Sequence, residues 1–218
     1  MIRAHLASAL LIFSAAVNAE TVTYLGRSLN VDPPQDFCVL GSSPTERALV
    51  EFQRKSTSAA GELAQFSVPC EELAEFRSGR IDNFSRWAQV LVLKAKGQLM
   101  PVMIPRAELV RKLAGSFADS PPDMKAVEKR INVEIGTGSI TITPQSTKPI
   151  GATQEAFFIE MRGKVQIDQW SSNFIGIGAV TVVNQLPVAV YAYGTPKARG
   201  ELPTVTASAY LRNVIDKN

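Results

Sequence analysis

The sequence predicts an α+β domain: an antiparallel sheet with helices packed on one face and a helical insertion at its centre. Three observations carry this expectation. The longest apolar runs of the body of the chain are strand-sized, four to eight residues, and from Ile135 onward strand follows strand. Between the earlier runs lie segments with helix-start chemistry and apolar residues at helical spacing. A chain of 218 residues that is 45% hydrophobic fits one ordinary domain with a sizeable core.

In chain order, Thr21 to Val31 alternates and predicts one or two strands, ended by Pro33-Pro34. Phe37-Cys38-Val39-Leu40 is a short strand. Ser43-Pro44-Thr45-Glu46 is a helix start: Ser43 caps, Pro44 suits the first turn, and Glu46 completes a capping box. Ala48, Leu49 and Phe52 give that helix its apolar face to about Lys55. Leu63 to Val68 alternates as a strand that Pro69 ends. Cys70 opens a helix with Leu73 and Phe76 three apart and Gly79 just past its end. Trp87 to Lys94 is a buried strand. An apolar connection, Gln98 to Ile104, leads to a helix from Pro105 to Phe117, which Asp119-Ser120-Pro121-Pro122 breaks. Asp123 caps the next helix, with Met124, Val127 and Ile131 on one face. Strands follow at Ile140–Thr143, Phe157–Ile159, Phe174–Val183 and Val188–Tyr193. The last two flank a hairpin turn read as Asn184-Gln185-Leu186-Pro187. Leu202-Pro203-Thr204 opens a final helix with Val205, Ala209, Leu211, Val214 and Ile215 as its apolar stripe.

The N-terminus predicts export. Arg3 and His5 form a short positive region, Leu6 to Phe13 a mostly apolar core, and Val17-Asn18-Ala19 a small-residue cleavage site before Glu20. That core is shorter than the roughly 20 residues a membrane span needs. Residues 1–19 are therefore expected to be a signal peptide and 20–218 a single exported domain, periplasmic or secreted. Loss of Arg3 lowers the formal charge of +3 to about +2, too balanced to imply nucleic acid as a partner. In an oxidising compartment the two cysteines, Cys38 and Cys70, predict a disulfide. Such a bridge closes a loop of about 33 residues, worth roughly 3–4 kcal/mol in the chain-entropy account, and pins the helix at Cys70 onto the sheet.

Histidine decides most of the chemistry. The one histidine, His5, falls in the signal, so Ser-His-Asp and Cys-His nucleophile systems and histidine-based zinc sites are not expected. No catalytic residue, cofactor site or metal site is assigned. Ser171, Ser172 and Lys164 are the residues from which a Ser-Lys dyad could be drawn, although a polar turn and a solvated lysine explain them. Glu71, Glu72 and Glu75 share one helix, where the dipole accounts for the first-turn acids; Asp32, Asp36 and Asp168 are isolated. Gly136-Thr137-Gly138-Ser139 lacks the lysine of a phosphate loop. Gly176-Ile177-Gly178 lies inside a strand, where bare positions two apart leave one face flat, chiefly for close packing of a helix and less often for a ligand. Arg77, Arg80 and Arg86 lie near Phe84 and Trp87, an arginine-aromatic mixture of the kind found at interfaces, and Arg77, Arg80, Arg86 and Trp87 are the candidate interaction surface. Arg111, Lys112, Lys125, Lys129 and Arg130 decorate the middle helices, a solvated face that could also touch anionic lipid.

Two stretches carry a resemblance. Gly26-Arg27-Ser28-Leu29-Asn30-Val31-Asp32-Pro33-Pro34, then Phe37-Cys38, then Cys70-Glu71-Glu72-Leu73 ahead of Phe76-Arg77-Ser78-Gly79 resembles a family of uncharacterised exported proteobacterial proteins. Thr181 to Val188, through Tyr191 to the closing helix, is similar in layout to the PsbP-like fold of photosystem extrinsic proteins and Ran-binding import factors. The similarity covers 24–79 and 174–216, and the helices of 105–131 depart from it as an insertion. It implies an antiparallel sheet with flanking helices and a binding or accessory module rather than an enzyme; no functional residue carries over. The function expected is a non-enzymatic envelope binding protein whose partner is another envelope or secreted protein. The alternatives are a histidine-free envelope hydrolase, of the Ser-Lys or carboxylate type, and a secreted host-directed factor.

Overall fold

The computed structural model describes residues 20–135, 140–167, 169–198, 200 and 202–218. The expected signal at 1–19, Gly136-Thr137-Gly138-Ser139 and Asp168 lie outside those residues. The fold is α+β. Its sheet runs in the order β3 (Phe37–Val39), β4 (Gly61–Pro69), β5 (Arg86–Ala95), β10 (Leu186–Gly194), β9 (Trp170–Val183), β8 (Phe157–Ile167) and β7 (Ile140–Ala152). Every neighbouring pair is antiparallel. A two-residue strand, β6 (Gln98–Leu99), folds back on the end of β5. The first two strands, β1 (Glu20–Tyr24) and β2 (Arg27–Val31), form a separate hairpin.

Three tight turns fix these registers. Leu25-Gly26, Lys96-Gly97 and Asn184-Gln185 each carry two consecutive positive φ values, the backbone that matches the twist of an antiparallel pair. The last turn has two residues where four were expected, so Leu186 and Pro187 belong to β10.

Strand alternation sends successive residues to opposite faces. On one face Val90, Val188, Val190 and Ala192 pack with Leu29 and Val31 of the hairpin and with Ala207, Tyr210 and Val214 of α5 (Pro203–Asp216). On the other, Leu63, Leu91 and Tyr191 meet Leu49 and Val50 of α1 (Pro44–Thr57) and Leu73 of α2 (Cys70–Arg77). The inserted helices, α3 (Arg106–Asp119) and α4 (Met124–Ile135), join α1 and α2 there. Phe117 of α3 meets Phe157 at 5.6 Å, and α4 packs on β7 and α1. Four helices thus share one face as expected, while α5 and the hairpin cover the other. The α5 stripe also differs: Val205 is exposed, whereas Thr206, Ala207 and Tyr210 are buried. Tyr210 is placed by a polar cluster in which its hydroxyl donates to Gln65 Oε1 while Gln65 Nε2 donates to the Val31 carbonyl at 2.9 Å.

The Cys38–Cys70 disulfide joins β3 to the first residue of α2, which pins that helix against the sheet. A second anchor binds α1 to α2. Ser43 Oγ accepts from the Glu46 amide at 3.2 Å, the first half of a capping box. The Glu46 carboxylate, fully buried, reaches further back than a capping box does. It accepts from the Gly41 and Ser42 amides and from Arg77 Nε at 2.8 Å. The Arg77 guanidinium, aided by the Gly41 and Ser42 hydrogen bonds, holds its carboxyl well below the usual carboxylate range despite burial.

Unfolding exposes Glu46 to water, where it takes up a proton near pH 4.3. The folded chain binds that proton only at far lower pH, so this stabilisation is complete above about pH 5 and drains away as pH falls below about 4.3. Glu46→Gln is expected to cost roughly 2–3 kcal/mol at pH 7 and to flatten the acid limb of stability against pH. Urea unfolding of both proteins between pH 3 and 7 measures this; parallel acid limbs would refute it.

Candidate functional site

The sheet face beneath α1 and α4 carries a floor of aromatic rings, and three bare backbone positions explain why. In the register of β10 on β9, Tyr193 lies opposite Gly176 and Tyr191 opposite Gly178. A β-carbon on Gly176 would come within 2.5 Å of the Tyr193 ring, and one on Gly178 within 2.6 Å of the Tyr191 ring. Phe174 crosses Gly163 of β8 in the same way, at 2.6 Å. The rings therefore lie flat across neighbouring strands. Trp87 of β5 stacks on Tyr193 at 5.1 Å between centroids and 15° between planes. Phe174 meets Tyr193 edge-on at 5.8 Å, an arrangement that the ring quadrupoles favour.

Above this floor is a cavity of about 290 Å³. Leu49, Phe52 and Gln53 of α1 form one wall and Val127 and Ile131 of α4 another; Ile142 of β7 and Met161 and Val165 of β8 close the far side. The α4 wall is tied to the sheet edge at both ends. Asn132 exchanges two hydrogen bonds with the Ile142 backbone, at 3.1 and 3.2 Å, and Thr147 Oγ1 donates to Met124 Sδ at 3.5 Å. The volume lies at the lower end of the range for ligand pockets.

One polar line enters this apolar space. Gln53 Nε2 donates to Gln89 Oε1, and Gln89 Nε2 donates to Tyr193 Oη at 3.3 Å. All three side chains line the cavity. Burial pushes the Tyr191 phenol up to about 12. Burial, with Tyr191 beside it, raises that of Tyr193 as well, so both remain protonated donors at any ordinary pH. Two of the cavity hydroxyls are committed locally: Ser56 and Thr57 donate to the Gln53 carbonyl at 2.9 Å. Among the described residues no group of three His, Cys, Asp or Glu side chains could hold a metal ion. The site can stack, enclose and hydrogen-bond a molecule.

The residues singled out from sequence are dispersed. Trp87 lines the cavity. Arg86, its neighbour, projects to the opposite face, over the Phe37 ring at 5.7 Å, with Glu72 3.9 Å away. Arg77 is engaged by Glu46, and Arg80 is exposed beyond α2. These four do not form one surface. Glu72 accepts from the Ser85 amide and hydroxyl at 2.6 Å, fastening α2 to the start of β5. Ser172 pairs with Val165 in register, while Lys164 pairs with Asn173 and points to the other face; Ser171 shares the face of Lys164 on an exposed ribbon. Arg111, Lys112, Lys125 and Lys129 are exposed, with Lys112 paired to Glu108 at 2.9 Å.

Sequence reasoning missed Phe174, Tyr193, Gln53, Gln89 and Met161. The signal for Tyr193 was the repeat itself, Gly-x-Gly on one strand facing Tyr-x-Tyr on the next. No protein-family model and no curated protein matches the chain.

A double-mutant cycle tests the floor. Gly176→Ala is expected to destabilise by roughly 1–3 kcal/mol, because its methyl overpacks against Tyr193. In a Tyr193→Ala background most of that cost should vanish. Chemical denaturation of the four proteins measures it, and an equal cost in both backgrounds would show that the ring does not need the bare position.

Proposed function

We propose that this chain is an exported, periplasmic or secreted binding protein that works by reversible capture of an apolar molecule in the cavity between α1, α4 and the sheet. The observation that carries the reading is the aromatic floor laid over Gly163, Gly176 and Gly178. Flat rings on bare strands maintain an open apolar surface where side chains of ordinary size would have met the helices. Apolar pockets with a few convergent polar groups are the usual form of small-molecule sites. The layout similar to the PsbP-like fold, which implies a binding or accessory module, points the same way.

Export is supported by two features. The first nineteen residues have the composition of a cleavable signal, and the body carries a disulfide, which persists in oxidising compartments. Among the described residues no helix is long and apolar enough to cross a membrane. Protein taken from the periplasm or medium of expressing bacteria should have a mass that begins at Glu20, less two hydrogens for the disulfide. Recovery from cytosol with residues 1–19 attached and both thiols free would overturn the export reading.

Capture is tested with the neutral fluorescent probe N-phenyl-1-naphthylamine. Wild-type protein should bind one equivalent with a rise in emission. Val127→Trp, which projects an indole into the cavity from α4, should weaken binding by about tenfold or more, equivalent to 1.4 kcal/mol, with the melting temperature little changed. A folded wild type that binds no probe, or a filled variant that binds equally well, would overturn capture at this site.

A further inference from the structure

Resting on that capture reading, we propose that the cavity selects an uncharged molecule with one acyl chain or one small ring system and an oxygen acceptor, such as a ketone, ester or ether, over its carboxylate and ammonium counterparts. Three features of the site define this class.

The first is charge. Among the described residues two charged side chains border the cavity, Asp82 and Arg162. Asp82 is exposed. Arg162 donates to Glu160 at 2.8 Å, and both lie on strand positions that face the α5 side. A carboxylate drawn onto the aromatic floor would lose its hydration and find no free cation among the described residues, a penalty far larger than apolar burial of the same atoms returns. A quaternary ammonium would need open ring faces arranged around it. Here Trp87 and Tyr193 occupy each other's facing surfaces, stacked at 5.1 Å, so no cage is formed.

The second feature is a donor without an acceptor. The Tyr193 hydroxyl accepts from Gln89 Nε2, and among the described residues nothing accepts its own proton. Gln89 is itself held by Gln53, so the amide relay fixes where the phenol oxygen sits and leaves its O–H to the cavity. A ligand oxygen there completes the line Gln53–Gln89–Tyr193. A hydrocarbon leaves the donor unmet, which is how buried polar groups discriminate between similar molecules.

The third is size. About 290 Å³ is at the lower end for ligand pockets, enough for one chain or a fused pair of rings and too little for a two-chain lipid.

Four naphthyl competitors test the proposal by displacement of N-phenyl-1-naphthylamine from the full exported protein: naphthalene, 2-acetylnaphthalene, 2-naphthoate and (2-naphthylmethyl)trimethylammonium. The ketone should compete about threefold to tenfold better than naphthalene, the yield of one net hydrogen bond, and at least about tenfold better than either ion. Tyr193→Phe should bring the ketone down to the level of naphthalene and leave naphthalene unchanged. That split separates a hydrogen-bonding role from a structural one, because a disturbed floor would weaken both. Equal or tighter binding of the naphthoate or the ammonium compound would overturn the ligand class, as would a Tyr193→Phe loss shared by ketone and hydrocarbon. Displacement by none of the four while the probe still binds would overturn it too, with capture intact. Failure of the probe itself to bind would sink capture and this inference together.

Discussion

The pairing of β9 with β10 through the two-residue Asn184-Gln185 turn is the constraint on which the rest depends. It sets Gly176 against Tyr193 and Gly178 against Tyr191, and a slip of one residue would turn every ring to the other face of the sheet. Because the glycines have no β-carbon, the tyrosine rings can lie down across β9, where Phe174 meets Tyr193 edge-on. A helix that crosses this region rests on rings, not on short aliphatic side chains. The stand-off is the cavity. On the opposite face the same two strands present Ile177, Ala179, Val188, Val190 and Ala192, and α5 closes down on them with Tyr210 and Val214 fully buried. The two faces of one hairpin thus have different fates, and the reason is the size and shape of alternate residues.

The remaining anchors hold the cavity walls in place from outside. The disulfide fixes α2 to β3, Glu46 and Arg77 join the start of α1 to the end of α2, and Glu72 ties α2 to β5 through Ser85. The α1 wall therefore belongs to a cross-braced block made of β3, β4, β5, α1 and α2. The α4 wall is held differently. Its links to β7 are the amide exchange at Asn132 and the Met124–Thr147 contact, and β7 is an edge strand. Pro144 and Pro149 sit at its two irregularities in register, and Lys148 lies between them, features that discourage another chain from pairing there. Asn132 supplies at Ile142 the two hydrogen bonds that a neighbouring strand would have made.

The sequence was most legible where local chemistry decides structure. Ser43-Pro44 begins α1, Cys70 opens α2, Asp123 precedes α4, and the cysteine pair forms the expected bridge. It was least legible where distant residues decide. A four-residue turn over 184–187 would set Tyr193 against Gly178 and leave Gly176 without a ring; the correct turn is centred one residue earlier, and its positive φ values fall on Asn and Gln, not on glycine. Prolines hid the length of β7, since Pro144 and Pro149 read as breakers until the strand is known to be an edge. In α5, the apolar stripe expected from spacing includes Val205, which is exposed, and leaves out Tyr210, which is buried. The burial of Tyr210 depends on Gln65, far away on β4, to receive its hydroxyl, and no spacing within the helix reveals that partner.

The perturbed titratable groups of this fold have causes in its packing. Chemistry on a bound substrate requires a group that changes protonation or bonding near neutral pH. Among the described residues the titratable groups of the floor itself are phenols, with Asp82 and Arg162 at the cavity's border, and burial drives the phenols away from neutrality, not toward it. The strongly shifted carboxyl, Glu46, lies in the brace between α1 and α2, where its charge is spent on Arg77 and two backbone amides. Perturbed groups often mark active sites; here the perturbations have structural causes, and the one polar line that enters the cavity is neutral from end to end. A neutral relay that ends in a fixed O–H donor is the feature on which the proposed recognition of a ligand oxygen rests.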